Sequence, residues 1–242
     1  LLVLLLQRCM QLLLLPVHLL ACLGLWDSCY KKVFPHIMAK VAPIYNHKVY
    51  KQKRELFSTL SHFAGPSGQL RLLEIGTGTG TNFQFYPAGC CLTCTDPNPN
   101  FKHFLLKNLL ENPHLQLENS LVASGEDLQQ IAEGTMDVVV CTLVLCSVTS
   151  IRRVLNEVLR VLRKGGAFYF LEHVAAEPSS WTYFWQQVCE PAWKYFGDGC
   201  SLSRETQKEL EKMNFSELHL RQIHVRPYWI PTSPHIIGYA VK

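Results

Sequence analysis

From Leu70 onward, apolar runs of strand length alternate with segments of helical spacing, and this alternation limits the possible fold more than any other feature. Five runs predict successive strands, LRLLEIG, CCLTCTD, LQLENSLVAS, MDVVVCTLVLCSV and AFYFLEHV, and two more, SELHLRQIHV and HIIGYAVK, close the chain. The fourth run is continuously apolar, which is typical of a strand covered on both faces. The pattern predicts an α/β fold with a mostly parallel seven-stranded sheet and helices on both faces.

Segments of helical spacing lie before and between these strands. We expect helices over 79–85, 100–110, 151–162 and 204–213, the third of them stopped by Gly165 and Gly166. Upstream, KQKRELFSTLSHF has its apolar residues on one side of a helix, and AGPSGQ at 64–69 predicts a turn. These elements complete the alternation that an α/β domain requires.

The composition is that of a folded protein, with 17% charged and 48% hydrophobic residues in a chain of 242. This length suits one packed domain with an appendage. The net charge of +4 is modest, and four basic residues lie close together, Lys48, Lys51, Lys53 and Arg54. We interpret them as a solvated or membrane-facing patch, and we expect no nucleic-acid partner.

The ten cysteines do not have the pattern of a secreted disulfide framework. Cys141 and Cys146 lie inside an apolar run, where a thiol behaves as a small hydrophobic side chain. Cys90, Cys91 and Cys94 have no second Cys/His pair at zinc-finger spacing, so we expect no metal site. The cysteines therefore favour a reducing compartment.

The first 26 residues are about as long and as apolar as a membrane-spanning helix, although polar residues and Pro16 interrupt them. A cleaved signal peptide and a buried core helix are alternatives, but Arg8 lies within the apolar stretch rather than before it. We favour a membrane anchor that either spans the bilayer or lies shallow in it, bent at Pro16. Lys31, Lys32 and Lys40 follow the segment and place the remainder in the cytosol. We divide the chain into an anchor (1–28), a linker with N-terminal helices (29–69) and a folded domain (70–242).

A glycine-rich loop, GTGTG at 76–80, follows the first predicted strand. Open parallel sheets bind ligands beyond the carboxyl ends of their strands, and glycine lets a ligand lie against the backbone. A dinucleotide fingerprint requires G-x-G-x-x-G, and Thr81 stands where its third glycine would be, which disfavours NAD. The loop therefore predicts another nucleotide-like ligand, beside the alternative that the glycines only turn the strand into the next element.

The spacing E-x-G-x-G-x-G resembles the first motif of the class I S-adenosylmethionine-dependent methyltransferases. The resemblance implies S-adenosyl-L-methionine as the cofactor, with these residues beside it: Glu74, Gly76, Thr77, Gly78 and Gly80. It also implies that Asp96, at the end of the second strand, accepts hydrogen bonds from both ribose hydroxyls. A cap for the next helix is the alternative role of Asp96.

Two further segments extend this resemblance. In SGED, Asp127 resembles the residue that accepts from the adenine amino group, with Gly125 and Glu126 shaping the pocket, and a helix N-cap is the alternative for Asp127. DVVVCTLVLCSV resembles the fourth-strand motif, which places Thr142 and Leu143 near the cofactor and the methyl-transfer site. LRVLRKGGAFYF resembles the helix-turn-strand signature of the same family. Together these segments imply a Rossmann-like class I methyltransferase domain over 70–242.

A closer resemblance runs over nearly the whole chain, in FAGPSG, NFQFYP, DPNPNF, EHVA, YFWQQV and PHIIGYAVK. These segments are similar to the mammalian methyltransferase-like proteins regarded as microsomal alkyl thiol S-methyltransferases. The resemblance implies methyl transfer to the sulfur of small lipophilic thiols, at the endoplasmic reticulum membrane and lipid droplets, with the catalytic domain facing the cytosol. Those relatives generally have cysteine where this chain has Thr77, which fills a similar volume. A lipid or quinone acceptor, and a non-enzymatic membrane scaffold, are the alternatives.

Fewer features of the sequence indicate which molecule accepts the methyl group. A thiol with a pKa near ~8.5 needs little activation, and no dedicated catalytic base stands out. His173, just beyond the fifth strand, is the best candidate for a base or a thiolate-orienting group, with Glu172 holding its imidazole, and a histidine satisfied by its surroundings is the alternative. Seven aromatic residues between Trp181 and Phe196 predict a lid over the acceptor or an apolar surface resting on the bilayer, with core packing accounting for part of them.

Overall fold

The seven predicted strands form one sheet in the computed structural model, which describes residues 1–66 and 68–242. The strands are β1 (Arg71–Ile75), β2 (Cys91–Thr95), β3 (Gln116–Leu121), β4 (Met136–Thr142), β5 (Leu162–His173), β6 (Glu217–His224) and β7 (Pro234–Val241). The helices are α1 (Leu2–Leu13), α2 (Leu15–Cys22), α3 (Leu25–Lys48), α4 (Tyr50–Phe57), α5 (Lys102–Leu110), α6 (Ile151–Val161), α7 (Trp181–Phe196) and α8 (Thr206–Glu211). The predicted turn at 64–69 contains Ser67, which lies outside the described residues.

The strand order is β3-β2-β1-β4-β5-β7-β6, and the first five strands are parallel to one another. β7 is antiparallel to both of its neighbours, β5 and β6. The chain moves outward from β1 to β3 and then returns to add β4 on the other side of β1. Loops that leave β1 and β4 therefore diverge and open a crevice at the carboxyl edge of the sheet. The prediction of a mostly parallel seven-stranded sheet is confirmed.

Two apolar clusters cover the two faces of this sheet, and β4 contributes to both. Val139 and Cys141 belong to one cluster, whereas Val138 and Val140 belong to the other. Successive side chains of a strand point to opposite faces, so a strand buried on both sides has to be apolar at every position. This explains the continuous apolar run in the sequence.

The predicted helix over 151–162 ends at Val161, earlier than the glycines that were expected to stop it. Gly165 and Gly166 instead lie within β5. The pairing of β4 with β5 shifts there, and Gly166 approaches the Asp137 carbonyl so closely that a Cβ would lie 2.8 Å from its oxygen. The two glycines therefore allow the shift in pairing between β4 and β5, and they do not end the helix.

The predicted helix over 79–85 is wrong, because only Phe83–Phe85 forms a single turn of 3₁₀ helix. The three loop glycines, Gly76, Gly78 and Gly80, have positive φ values of 62°, 54° and 79°. These values lie outside the right-handed helical region, so the loop extends further than the sequence pattern indicated.

The apolar N-terminus forms α1 and α2, which are separated at Leu14, two residues before Pro16. Within the described part of the chain, no single helix has the length and hydropathy to cross a bilayer. By length and composition alone, α1 and α2 reach those values together, as a pair bent by 67°. The predicted boundary between 28 and 29 falls inside α3, which continues through Pro35 and Pro43. The anchor and the linker of the sequence division therefore share one helix.

The aromatic segment forms the helix α7, and α1 packs against it. Gln7 Nε2 donates a hydrogen bond to the Gln187 carbonyl at 2.7 Å, and His18 Nδ1 lies 2.7 Å from the Tyr195 hydroxyl. Most leucines of α1 and α2 are nevertheless exposed, as is Trp181 at the start of α7. These helices therefore expose many apolar side chains.

Candidate active site

The loops that leave β1, β2, β4 and β5 meet at one edge of the sheet because these strands run parallel. α3 lies across this edge. Asn98, after β2, donates from Nδ2 to the Lys31 carbonyl at 2.8 Å, and Asn46 of α3 donates from Nδ2 to the Thr81 carbonyl at 3.2 Å. The sequence predicts a linker with N-terminal helices over 29–69, and α3 in this region covers the crevice from the glycine loop to the loop after β2.

The three glycines of the loop have different reasons to lack a side chain. A Cβ at Gly76 would overlap the Val144 side chain, and one at Gly80 would lie 2.6 Å from the Phe83 ring. At Gly78 the nearest atom would be the Phe101 ring at 3.7 Å, an ordinary contact. Gly76 and Gly80 are therefore required by packing within the protein, whereas the bare backbone of Gly78 leaves space in the crevice.

Asp96 faces this bare backbone from the end of β2. One carboxylate oxygen accepts the Gly78 N–H at 3.0 Å, and the other accepts the Asn98 N–H at 2.8 Å. Burial raises the pKa of Asp96 to about 6, against these two hydrogen bonds, which lower it. An ionised carboxylate has about four lone-pair sites, so each oxygen can still accept a hydroxyl hydrogen. The open backbone beside a hydrogen-bonding carboxylate fits the ribose of an adenosyl group.

Glu74, in contrast, points into the protein. Its carboxylate accepts from Asn82 Nδ2 at 2.7 Å, and Asn82 Oδ1 accepts from Lys53 Nζ at 2.7 Å. The Asn82 amide also donates to the Thr142 hydroxyl at 3.0 Å, which connects the glycine loop with the end of β4. Thr77, between the first two loop glycines, donates from its hydroxyl to the Glu74 carbonyl at 3.0 Å. This polar network fixes the glycine loop from the interior of the protein.

The buried network changes the ionisation of both charged ends. Burial raises the pKa of Glu74 to about 7 and lowers the pKa of Lys53 to about 8. The prediction that Lys53 lies in a solvated patch is wrong, since only 2% of its surface is exposed. Its helical spacing with Val49 and Leu56, both buried, puts the lysine on the inner face of α4. That spacing is the feature of the sequence that indicates a buried Lys53, whereas no comparable feature indicates the role of Asn82.

The segment after β3 packs between the end of β1 and the start of α6. Gly125 is buried, and a Cβ there would lie 2.7 Å from the Ile75 side chain. The Glu126 carboxylate accepts from the Ser150 N–H at 2.8 Å and the Thr149 N–H at 3.2 Å, so it holds the start of α6. Asp127 is exposed and accepts from the Gln129 N–H at 3.4 Å within a turn, not at the start of a helix.

The end of β4 carries a strained residue. Leu143 has φ of 59°, a conformation that is uncommon for a leucine, and its N–H donates to the Leu171 carbonyl at 2.9 Å. Strained non-glycine residues concentrate at functional sites because the surrounding structure has to hold them. Thr142 lies beside Asn82 of the glycine-loop network, and the role of Thr142 and Leu143 near the cofactor stays a prediction.

The prediction that Glu172 holds the imidazole of His173 is wrong. Adjacent residues of β5 point to opposite faces of the sheet. The Glu172 carboxylate accepts from the N–H groups of Val144 and Leu145, each at 3.1 Å. Burial raises the pKa of Glu172 to about 7, although these hydrogen bonds lower it. Glu172 therefore fixes the loop after β4.

His173 is 4% exposed and lies in a cluster with two cysteines, Cys146 and Cys200. Its Nε2 atom lies 2.7 Å from the Cys200 sulfur. Burial lowers the pKa of His173, but the hydrogen bond and charge of Cys200 outweigh burial and leave the pKa raised. The Cys146 thiol, and then His173, lower the pKa of Cys200 although burial opposes them. The cluster thus combines a histidine with an acidic thiol, and nothing in the sequence brought Cys200 into the site.

Comparisons with known proteins agree with this geometry. Residues 73–170 match a family model described as a methyltransferase domain. The chain is 59% identical over 220 residues to the human thiol S-methyltransferase TMT1A, covering 91% of this chain and 90% of the relative. It is 56% identical over 238 residues to the human thiol S-methyltransferase TMT1B, covering 98% of both chains.

Solved structures share the fold at low sequence identity. A geranyl diphosphate methyltransferase in complex with geranyl diphosphate and sinefungin has a TM-score of 0.58 and 16% identity, covering 79% of this chain and 78% of that chain. A possible histamine N-methyltransferase from Thermotoga maritima has a TM-score of 0.54 and 17% identity, covering 86% and 99%. The Rossmann-like methyltransferase fold and the cofactor S-adenosyl-L-methionine are thereby confirmed. The chain belongs to the family of the thiol S-methyltransferases TMT1A and TMT1B.

Proposed function

We propose that this protein transfers the methyl group of S-adenosyl-L-methionine to the sulfur of small lipophilic thiols by in-line displacement. The observation that carries this proposal is the identity of 59% with a thiol S-methyltransferase over 91% of the chain. When bound, the cofactor supplies a methyl group on a positively charged sulfur, which is already activated for displacement. The residues of the chain therefore have to bind and align the two reactants.

The cofactor lies, in this proposal, beside the hydrogen-bonded pair of Gly78 and Asp96. The carboxylate of Asp96 accepts hydrogen bonds from the ribose hydroxyls, and the open backbone at Gly78 lets the ligand approach. Gly76, Gly80, Thr77 and Glu74 keep the loop in shape from the protein side. Thr77 acts without touching the ligand, since its hydroxyl donates to the Glu74 carbonyl, and Glu74 acts through the hydrogen bond that it accepts from Asn82.

The adenine is recognised beside the segment after β3. Asp127 accepts from the exocyclic amino group, Gly125 brings the backbone close to β1, and Glu126 holds the segment against the start of α6. Thr142 and Leu143 line the crevice on the side where the methyl group is transferred. Exposure of Asp127 supports this role because its carboxylate is available to a ligand.

The acceptor reaches the methyl group from the side of β5. His173 orients the thiolate there, and no strong base is needed because a free thiol is partly ionised near neutral pH. An amine or an alcohol would require more activation. This difference is what supports a thiol acceptor on chemical grounds.

The assay that tests this proposal uses the purified full-length protein with S-adenosylmethionine labelled in its methyl group. The acceptors are an alkanethiol, the alcohol and the amine of the same chain length, a reduced quinone and a phospholipid. We expect labelled thioether from the thiol and no labelled product from its alcohol or amine. Labelling of the quinone or phospholipid in preference to the thiol would replace the proposed acceptor class.

We propose in addition that the protein is anchored at the endoplasmic reticulum membrane and on lipid droplets, with the catalytic domain facing the cytosol. The exposed leucines of α1 and α2 and the exposed tryptophans Trp181 and Trp185 support this proposal. Lys31 and Lys32 follow the apolar helices and favour the cytosolic side. Aromatic and basic residues next to an apolar helix are typical of membrane interfaces.

A pair of charge substitutions tests the anchor. Leu12→Glu with Leu13→Glu places two charges on exposed positions of α1, whereas Leu110→Glu places one on an equally exposed position of α5. We expect the first variant to leave the membrane fraction in flotation and the second to stay with it. Equal flotation of both variants would contradict anchoring through α1.

A further inference from the structure

Three side chains from separate segments meet in the interior beyond the ends of β4 and β5. They are Cys146 in the loop after β4, His173 at the end of β5 and Cys200 in the loop after α7. One potential ligand atom of each lies within 4.8 Å of the other two, and the residues are only 2%, 4% and 7% exposed. The cluster lies outside the cofactor-binding loop.

The backbone holds these segments together. Ser201 N–H donates to the Cys146 carbonyl at 2.9 Å, and Leu202 N–H donates to the Glu190 carboxylate at 2.8 Å, so the loop after α7 is fixed beside the loop after β4. The Trp193 indole N–H donates to the Cys200 sulfur at 3.2 Å. Donors of this kind surround metal-bound thiolates and tune their charge.

One polar atom of the cluster has no hydrogen-bond partner in the part of the chain that the structure describes. The Nδ1 atom of His173 is fully buried and unpaired. A buried ring nitrogen without a partner is costly, and packing alone does not explain why a histidine stands there. The other ring nitrogen, Nε2, lies beside Cys200, and two thiols with an imidazole are the donor set that zinc prefers.

We propose that Cys146, His173 and Cys200 bind one zinc ion, and that its fourth coordination position receives the sulfur of the acceptor thiol. Two cysteines and one histidine with an open position are the ligand set of a catalytic rather than a structural zinc site. Zinc would lie about 2.3 Å from each sulfur and about 2.0–2.1 Å from the nitrogen. A tetrahedral angle then separates the nitrogen from each sulfur by about 3.5 Å, so metal binding lengthens the present contact of 2.7 Å between His173 and Cys200.

The site gives the proposed reaction its nucleophile, and this part of the inference rests on the proposed thiol acceptor. A thiol that coordinates zinc loses its proton, here to solvent, and becomes a thiolate. The sulfur then forms the new S–CH₃ bond with its own electron pair while the C–S bond of the sulfonium breaks and leaves a neutral thioether on the cofactor. The methylated product is also a neutral thioether, a weaker zinc ligand, and it leaves the metal.

The sequence did not indicate this site because zinc-finger spacing requires ligands close together in the chain. Here the three ligands come from three segments, which only the sheet and α7 bring together. In this account His173 orients the thiolate as a metal ligand, and the metal replaces a general base.

The first test is the metal content of the purified full-length protein after expression with added zinc. We expect about one zinc ion per chain, and we expect it to be lost in Cys146→Ser and in Cys200→Ser. Cys189→Ser, a half-buried cysteine of α7 outside the cluster, is the matched control and keeps its zinc. Wild-type protein without metal, or with a disulfide between Cys146 and Cys200 in peptide mass spectrometry, would overturn the site.

A second measurement does not depend on how the variants fold. Cobalt replaces zinc in the wild-type protein, and thiolate ligands give it a charge-transfer absorption. We expect this absorption to form at one equivalent of cobalt and to change when an alkanethiol is added, but not with the matched alcohol. An unchanged spectrum with the thiol would overturn the role of the fourth position. Zinc content is read without turnover, so failure of methyl transfer to thiols and failure of the metal site give separate results.

Discussion

The two halves of the candidate active site differ in how the chain assembles them. The cofactor half consists of Glu74, Gly78, Asn82 and Asp96, which lie within 74–98, and of Lys53 and Thr142, which support them. The acceptor half consists of Cys146, His173, Trp193 and Cys200, which come from three distant segments. A short motif can therefore reveal the first half, whereas the second half exists only after the sheet and α7 have formed.

The halves also differ in chemistry. The cofactor half buries charged groups that accept backbone or amide hydrogen bonds, Asp96 on both carboxylate oxygens and Glu74 on one. The acceptor half buries sulfur and imidazole, which are polarisable groups with few hydrogen bonds. The two halves therefore offer different chemistry to a ligand, hydrogen-bonding carboxylate and backbone groups in the first and buried sulfur and imidazole in the second.

One of the largest effects in the cofactor half is expected on stability, for Lys53→Met. The substitution removes the buried cation that donates to Asn82, and a hydrogen bond to a charged group contributes about 1.5–3 kcal/mol. We expect a loss of about 2–3 kcal/mol in unfolding free energy, because Asn82 Oδ1 is then left buried without its donor. Chemical denaturation measures the change.

The matched control is Lys51→Met, on the exposed side of the same helix. It should change the unfolding free energy by less than about 0.5 kcal/mol. Equal stability of the Lys53 and Lys51 variants would show that the network does not support the glycine loop.

Two glycines of the loop separate packing from ligand binding. In Gly76→Ala the new methyl group overlaps Val144 and the residue keeps a positive φ, so we expect a loss of about 2–4 kcal/mol in unfolding free energy. Gly78→Ala has room for its methyl group and should lose only about 1–2 kcal/mol from the backbone conformation. That methyl group occupies the crevice, so this variant should lose more cofactor affinity than stability.

Thermal unfolding and cofactor titration on both variants distinguish these effects. If Gly78→Ala binds the cofactor as the wild-type protein does, the ligand does not lie against that backbone.

The pH dependence of cofactor binding follows from Asp96, whose folded pKa is raised from 3.8 to about 6. The carboxylate is the form that accepts two hydroxyl hydrogens, so affinity should fall as pH decreases through 6, by about tenfold at pH 5. The contribution of Asp96 to folding stability changes with pH in the opposite direction. A raised pKa contributes stability that is present below pH 3.8 and is lost as pH rises through 6.

Titration of the cofactor between pH 5 and 8 tests this prediction. Glu74 also has a raised pKa, near 7, so Asp96→Asn is compared with the wild-type protein. A flat profile in Asp96→Asn and a sloping one in the wild type are expected. The same slope in both proteins would assign the pH dependence to another group.

The smallest effect is expected in the acceptor half, for Trp193→Phe. The variant keeps an aromatic ring but removes the N–H that donates to the Cys200 sulfur. The loss of one hydrogen bond of about 0.5–1.5 kcal/mol should lower kcat/KM for the thiol by about 2–10-fold. The KM of the cofactor should not change, and an equal change in both KM values would show that Trp193 supports the whole crevice.

Much of the fold was predictable because strands and helices leave local patterns. β4 was recognised as an unbroken apolar run because both of its faces are covered, and α6 because its apolar residues recur at helical spacing. α3 was not recognised as one helix because Pro35 and Pro43 normally interrupt helices, and its contacts across the crevice override that preference.

Some residues of the candidate site were likewise predictable from local sequence patterns, and others were not. Asp96 and the glycine loop were predictable from spacing, and the structure brings them together. Lys53 was misassigned because the charge of a lysine predicts a solvated position, whereas the hydrogen bond with Asn82 stabilises it inside. The approach of Cys200 to His173 depends on where α7 ends and on the loop that follows, which no local pattern determines.

Isothermal titration of S-adenosylmethionine into the full-length protein and its Asp96→Ala variant tests the central claim most directly, with Glu133→Ala, an exposed carboxylate, as the control. Asp96→Ala loses the two hydrogen bonds that the carboxylate accepts from the ribose hydroxyls. Each contributes about 1.5–3 kcal/mol, so the Kd of this variant for S-adenosylmethionine should rise by at least about a hundredfold. Glu133→Ala should bind as the wild type does. Equal affinities in the folded wild-type and Asp96→Ala proteins would show that the cofactor does not bind against Gly78 and Asp96.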